Sequence, residues 1–445
     1  MQPEQNPIVD HAYRLANKLI YCLESKQAKV QDKYDYYNAD NDVPDFGIST
    51  PMRMRKLRPG IGWASRAVNT LGDRVVFEGF AKDTFGINEL LEQINGFSVL
   101  SKAKDDALIA GCAFVAVADD ENGNKVLIPF TAQEATGEID QTTGLLKWGL
   151  AVTKWHIPKP KKPGIMYAPK DYIVFTPDFT FVFENRSLVE VVPNPTKRTL
   201  LHPVTRRASA DRPLGKSRIT NTARRIINEV GRMKRRLEIA EEFYAMPQRY
   251  ITGLAEGAEK DPTMDSAIGR VWAITQDEEG NSPDIGQLPQ LSIQGFETSK
   301  KDKARDFCAE TGLTMRNLGY ETQNPSSGES LVAMSDDLLL EAQKTQEEMG
   351  KQFKEICITL RLALNGNDEV PAQLKEIIPA FKPIFAVDIG PAGDAMFKLF
   401  QAMPELVGTV EGYRMLGIGI RQAEELVQKR QQLGAASFMN NGGQQ

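Results

Sequence analysis

The chain has 445 residues, of which 41% are apolar and 25% charged, with a net charge of −5. This is the composition of folded protein, with room for about two to four domains. The mild acidity excludes a chain that coats nucleic acid through an overall basic surface, though not one that nucleic acid passes through. The longest apolar run, Leu108 to Ala118, is too short to span a bilayer and reads as a buried strand. MQPEQNPIVD has neither the basic start nor the apolar stretch of a signal peptide, so a cytosolic origin is expected. Cys22, Cys112, Cys308 and Cys357 lie far apart and read as free thiols.

In chain order, residues 7 to 37 predict a helix with Val9, Ala12, Leu15, Ala16, Leu19, Ile20 and Leu23 on one face. Asn38 to Pro59, rich in Asp, Asn, Pro and Gly, is a loop. A second helix starts at Trp63 and ends near Gly72, and Val75 to Phe77 predict a strand. From Ala113 to Phe183 the pattern is β. Three hairpins are expected, turning at Asn122-Gly123-Asn124, at Thr142-Thr143-Gly144 and near Pro177-Asp178. They imply an antiparallel sheet with helices packed on it, an α+β class. Residues 192 to 215, with four prolines and many basic residues, read as a connector outside the core.

The most informative segment follows, from Lys216 to about Met246. Ile219, Ala223, Ile226, Ile227, Val230, Met233, Leu237, Ala240 and Tyr244 keep one helical face apolar. The other face carries Lys216, Arg218, Arg224, Arg225, Arg232, Lys234, Arg235 and Arg236. Such a helix would reach roughly 45 Å, long for a globular domain. It should stop at Pro247. Short strands in QRYITGL and GRVWAIT and a DEEGNSPDIGQ loop come next, then a helix from about Thr298 to Leu313. The loop GYETQNPSSGES precedes a helix running to about Ala363, whose exposed face is expected to carry Asp336, Asp337, Glu341, Glu347 and Glu348. FKPIFAVDIGP predicts a short strand, and residues 393 to 434 predict helices followed by a disordered Gly/Gln-rich tail. The small β insert thus sits at the far end of a helical hairpin.

Catalytic and cofactor signals are weak. Asp119, Asp120 and Glu121 directly precede Asn122-Gly123 and read as a hairpin tip. His11, His156 and His202 are too scattered to predict a metal site. The glycines around Gly417 lack a dinucleotide-binding pattern, and no Walker-type loop exists. No cofactor, metal or catalytic residue is assigned.

Several strings, in order, resemble the portal proteins of tailed bacteriophages, in the branch with long non-contractile tails. KYDYYNAD and WASRAVNTLGDRVVFEGF resemble that family's opening helix and first wing elements. RPLGKSRI resembles the approach to its first stem helix, AEEFYAMPQRYITGL its stem-to-clip passage, and NPSSGESL its tunnel loop and the start of the tunnel helix. The resemblance implies a portal fold: a mixed wing at 1–215, stem helices at 216–247 and 296–314, and a small α/β clip at 248–295. It further implies a tunnel loop and helix at 315–363, a return to the wing at 364–392, and a helical crown with its tail at 393–445. It implies a homo-oligomeric ring of about twelve copies at one capsid vertex. Double-stranded DNA would pass through it during packaging and ejection. A terminase motor and then a head-tail adaptor would dock on it, with the major capsid protein and a scaffold as neighbours and no membrane. The virion, and the host cytoplasm during assembly, would be its locations. On this resemblance the channel loop is Glu321, Gln323, Asn324, Ser326 and Ser327, and docking falls to Arg249, Tyr250, Asp277, Glu278 and Glu279 of the clip. The stem interface is Arg224, Arg225, Arg232, Lys234, Arg235 and Arg236. A head-to-tail ring needs two different matching faces. The stem arginines are therefore expected to pair with carboxylates of a neighbour, drawn from Glu297, Asp302, Asp306, Glu310, Asp336 and Glu341. A packaging nuclease and a soluble head-completion adaptor are the alternatives; the first lacks clustered carboxylates and the second would leave so long a helix without a purpose.

Overall fold

Alternating apolar residues build most of the chain's β structure, and one long amphipathic helix covers it. The computed structural model describes residues 7–44, 58–156, 167–245, 249–252, 284–287, 294–320, 336–384, 400–401, 403–416 and 418–441. The described residues fall into two units, one drawn from 1–39, 62–221 and 311–445, the other from 40–61 and 222–310.

In the first unit, helix α1 (Pro7–Asn38) buries Ala12, Leu15, Ala16, Leu19 and Leu23. These spacings of three and four place all five on one face. They pack on Leu150, Val152, Tyr172, Val174, Phe181 and Phe183 of a five-stranded antiparallel meander. Its strands are β4 (Ala135–Ile139), β5 (Leu146–His156), β6 (Ala168–Phe175), β7 (Phe179–Glu184) and β8 (Ser187–Pro193). Each large side chain so buried stabilises by about 1.5–3 kcal/mol. A smaller sheet, in the order β3-β2-β9, joins β2 (Cys112–Asp119) to β3 (Lys125–Thr131) and β9 (Leu201–Thr205). Between the two sheets' residues lies a second core of Phe114, Ala116, Leu146, Ala151, Phe175 and Leu201.

Helices α2 (Trp63–Gly72), α3 (Ile87–Gln93) and α4 (Gly96–Ala110) and strand β1 (Phe77–Ala81) complete the amino-terminal part of this unit. Later come α7 (Asp336–Asn365), α8 (Ala372–Glu376), β12 (Ile378–Phe381), α9 (Val410–Met415) and α10 (Ile420–Asn441). Strand β12 pairs antiparallel with β1, so Phe77 meets Phe381 edge-on, and Phe353 of α7 stacks on Phe381 and meets Phe77 edge-on. Arg421 holds α10 to this sheet, donating to Glu78 O and to Glu92 Oε1.

The second unit is a helical hairpin. Helix α5 (Asn221–Ala245) has 25 residues, about 37 Å of rise. Helix α6 (Gln294–Thr311) returns beside it. Between them, β10 (Arg249–Thr252) pairs antiparallel with β11 (Asp284–Gln287). Residues 41–43 belong to the same unit.

The three expected hairpin turns are all present, with Asp119 opposite Lys125, Glu138 opposite Trp148 and Phe175 opposite Thr180. Four expectations need correction. Residues 192–215 are not merely a connector: Leu201–Thr205 is a wholly buried strand against β2. Asp284–Gln287 is a strand, not a loop, because the antiparallel partner Arg249–Thr252 satisfies its backbone. The strand expected at Val75 to Phe77 runs Phe77–Ala81. A strand, Ile378–Phe381, ends at the first residue of FKPIFAVDIGP, whose residues 385–391 lie outside the described residues. The last helix continues to Asn441, into the segment expected to be disordered.

Candidate functional site

The long helix expected from Lys216 does not include the end of RPLGKSRI, the string read as its approach. Gly215 has φ +77°, in the left-handed region open mainly to glycine. A Cβ there would stand 2.4 Å from Gly111 O and 2.6 Å from Arg206 O. Just beyond it, Lys216 N donates to Arg206 O at 2.7 Å and Arg218 N to Leu108 O at 2.9 Å. The Ser217 hydroxyl donates to Ile109 O. These bonds hold 215–218 against the end of α4 and the residue that follows β9, and α5 begins only at Asn221.

Arg218 is 3% exposed and uses its whole guanidinium. Nε donates to Ala67 O at 2.6 Å, Nη2 to Thr311 O at 2.8 Å, and Nη1 to Glu341 Oε2. Arg206, 4% exposed, gives Nη2 to Glu341 Oε1 and Nη1 to Lys216 O, the latter at 3.0 Å. Arg207 Nη2 adds a contact at 3.6 Å. Burial raises the Glu341 pKa, but Arg218 and Arg206 outweigh it and hold the carboxyl below its ordinary range. Glu341 is therefore a buried anion shared by two buried cations of its own chain. That corrects two expectations: its side chain is not on an exposed face, and it is not free for a neighbour's arginine.

Below Glu341 the same helical face of α7 continues as a polar stripe. Glu348 accepts from Arg207 N at 2.8 Å and Ala208 N at 3.0 Å. Gln352 donates to Thr205 Oγ1 at 2.7 Å and accepts from Thr205 N at 2.9 Å. Glu355 accepts from Arg198 Nη1 at 2.8 Å. Spacings of seven, four and three keep these residues in one column. The stripe clamps α7 onto residues 198–208. None of these partners stood among the expected site residues. The available signal was phase: Glu341 lies in step with Leu338, Ala342, Thr345 and Met349, all buried.

In the second unit, Lys303 Nζ lies 2.9 Å from Glu229 Oε2, and Ser299 Oγ donates to Met233 Sδ at 3.7 Å. Ascending on α5 while descending on α6, these contacts make the helices antiparallel neighbours. Ile226, Ile227 and Val230 of α5 and Ala304, Phe307 and Cys308 of α6 are buried. The expected basic set divides by exposure. Arg225 and Arg236 are exposed, Arg224, Arg232 and Lys234 are half-buried, and Arg235 is 3% exposed. Arg235 Nη2 donates to Val43 O at 3.3 Å, and Asn41 Nδ2 to Asn228 Oδ1 at 3.2 Å. Residues 41–43 thus run along the 228/231/235 edge of α5. Of the clip set, Arg249 and Tyr250 lie in β10. Asp277, Glu278 and Glu279, and the channel-loop residues Glu321, Gln323, Asn324, Ser326 and Ser327, lie outside the described residues.

The remaining chemistry-bearing groups are structural. Asp120 accepts from Asn122 N and Asn124 N, which makes it the lid of a hairpin tip. Burial pushes the Cys112 and Cys308 thiols up to about 11 and raises Cys357 as well, leaving them poor nucleophiles. Burial and Arg198 lower His202 to about 3, so it is neutral at physiological pH. Among the described residues, no group of three or more His, Cys, Asp or Glu could hold a metal ion, and no helix is long and apolar enough to cross a membrane.

No family model matches the chain. Two curated relatives match it almost end to end: the portal proteins of Mycobacterium phage D29 and of Mycobacterium phage L5. Each is 22% identical over 451 residues, spanning 95% of this chain and 89% of the relative. The resemblance read from the ordered strings therefore extends along nearly the whole chain, which is similar to these phage portal proteins over 95% of its length. Similar solved chains include one from the neck of a native gene transfer agent particle computed with C12 symmetry, 14% identical, covering 87% of this chain and 99% of that one at a TM-score of 0.43. Another is an HK97-family phage portal protein from Corynebacterium diphtheriae, 14% identical, covering 65% of this chain and 88% of that one at a TM-score of 0.29. These two superpositions stay below 0.5, so the α+β assignment rests on the elements described above.

Proposed function

We propose that this chain is the subunit of a portal ring: a structural conduit at the unique capsid vertex through which double-stranded DNA is packaged and ejected. The observation that carries this reading is the collinear match to two portal proteins over 95% of the chain. The antiparallel pair α5 and α6, with the β10–β11 ribbon between them in sequence, supports reading 216–247 and 296–314 as stem and 248–295 as clip. The ring is homo-oligomeric, of about twelve copies, and its work is mechanical and not catalytic. Its partners are the DNA, a terminase motor and later a head-tail adaptor at the clip, and the capsid protein and scaffold around the wing. It acts in the virion after assembly in the host cytoplasm.

The stem interface is assigned to the outward cations Arg225 and Arg236 with the half-buried Arg224, Arg232 and Lys234, facing exposed Glu297, Asp302, Asp306 and Glu310 of a neighbour. Exposed pairs contribute about 0–1 kcal/mol each, so several must act together. The loop carrying Glu321, Gln323, Asn324, Ser326 and Ser327 has no basic residue, which suits a lining that must not grip phosphates.

Mass photometry and class-averaged electron micrographs of the purified protein test the reading. Rings of about 600 kDa with a central opening are expected from twelve copies of a 49.5-kDa chain. A monomer under every condition of salt and concentration would overturn it.

A further inference from the structure

The chain leaves the first unit just after Arg218 and returns to it at Thr311. Arg218 touches both points, since it precedes the departing helix and donates to the Thr311 carbonyl. Its guanidinium is oriented by one carboxylate, Glu341, which also takes Arg206, the residue that holds the Lys216 carbonyl. Glu341 lies in the second turn of α7, the first helix described after the loop read as the channel constriction. We propose that Glu341 is a positioning residue that couples the start of α7 to both chain crossings of the helical hairpin, so that a displacement of α7 reaches 216–219 and 311–314 together.

Three features favour coupling over mere stability. The two cations reach the two crossings by separate bonds, yet share one anion. Burial leaves no water to replace that anion, so neither guanidinium can release it alone without a buried, uncompensated charge. The lower clamps, Glu348 and Gln352, bond only to 205–208 and touch neither crossing. A packed ionic contact of this kind resists gradual deformation, so a small shift of the anion is passed to both cations. In the portal reading, on which this role rests, a displacement of α7 would reach the residues from which both stem helices leave the first unit.

The test is hydrogen–deuterium exchange on the full chain, comparing wild type with Glu341→Gln, Glu348→Gln and Arg218→Lys. Glu341→Gln should speed exchange by about tenfold in three places at once, 336–345, 216–219 and 311–314, while 353–362 stays slow. Glu348→Gln should leave 311–314 at the wild-type rate. Arg218→Lys keeps a charge beside Glu341 but loses the fork, and should loosen 311–314 while 336–345 stays protected through Arg206. The proposal is overturned if Glu341→Gln frees 336–345 alone, or if every peptide accelerates equally in both Glu341→Gln and Arg218→Lys. Ring mass measured on the same samples separates the two ideas. A wild type that never forms rings defeats the portal reading, yet the exchange pattern still decides the coupling.

Discussion

Glu229 and Lys303 face one another across α5 and α6, Oε2 to Nζ at 2.9 Å, and with Met233 and Ser299 they set the register of the hairpin. Both side chains are about one-third exposed, so the pair's contribution is modest. A double-mutant cycle with Glu229→Gln and Lys303→Met should give a coupling of about 0.5 kcal/mol, shrinking at 1 M salt. Strict additivity of the two single changes would show that the buried apolar contacts alone set the register.

Gly215→Ala should be among the most damaging single-methyl changes in the chain. The left-handed φ and the two carbonyls within 2.6 Å of a Cβ leave it no room. A loss of about 3 kcal/mol or more is expected, read as a fall in urea midpoint. Gly123→Ala makes the control: it shares a positive φ of +81° but meets nothing within 4 Å, so it should cost about 1 kcal/mol.

Arg235 and Arg236 are adjacent in sequence but should behave differently. Arg235→Ala removes a buried donor to Val43 O and should destabilise the subunit by about 1–3 kcal/mol whatever its assembly state. Arg236→Glu, on an exposed side chain, should leave the subunit's melting temperature nearly unchanged and weaken ring assembly in a salt-dependent way. Equal melting temperatures for Arg235→Ala and wild type, or rings unaffected by a combined Arg225→Glu and Arg236→Glu, would contradict these assignments.

Asp106 should make the protein less stable at neutral pH than its neutral analogue. Burial pushes its pKa up to about 6, against the lowering effect of the Tyr34 hydroxyl that donates to it at 3.0 Å, with Glu134 and Asp105 adding to the rise. The folded value thus lies above the unfolded one, so its contribution is fully present below about pH 4 and is lost as pH rises through 6. Asp106→Asn should raise unfolding free energy by about 1–2 kcal/mol at pH 7.5 and change it little at pH 4. Paired urea titrations at the two pH values decide the matter; a loss of stability at pH 7.5 would refute it.

Much of this molecule could be read from the chain alone, and the reasons are local. The period of α1 placed Ala12, Leu15, Ala16, Leu19 and Leu23 inside before any partner was known, and the turn residues at 122–124 and 142–144 located two hairpins. The long amphipathic run marked α5, and ordered strings marked the portal resemblance. Tertiary contacts alone decided the rest. Leu201–Thr205 is a core strand because β2 supplies its hydrogen bonds, although the four prolines and basic residues of 192–215 read as a linker. Lys216 to Arg218 stay outside the helix because their donors are taken by Arg206 and, a hundred positions earlier, by Leu108 and Ile109. Arg218, Arg235 and Glu341 look like surface charges in a one-dimensional pattern. Only a fold that brings Ala67, Thr311 and Val43 beside them can bury charge at that density, because a desolvated ion is tolerated only where fixed partners replace its water.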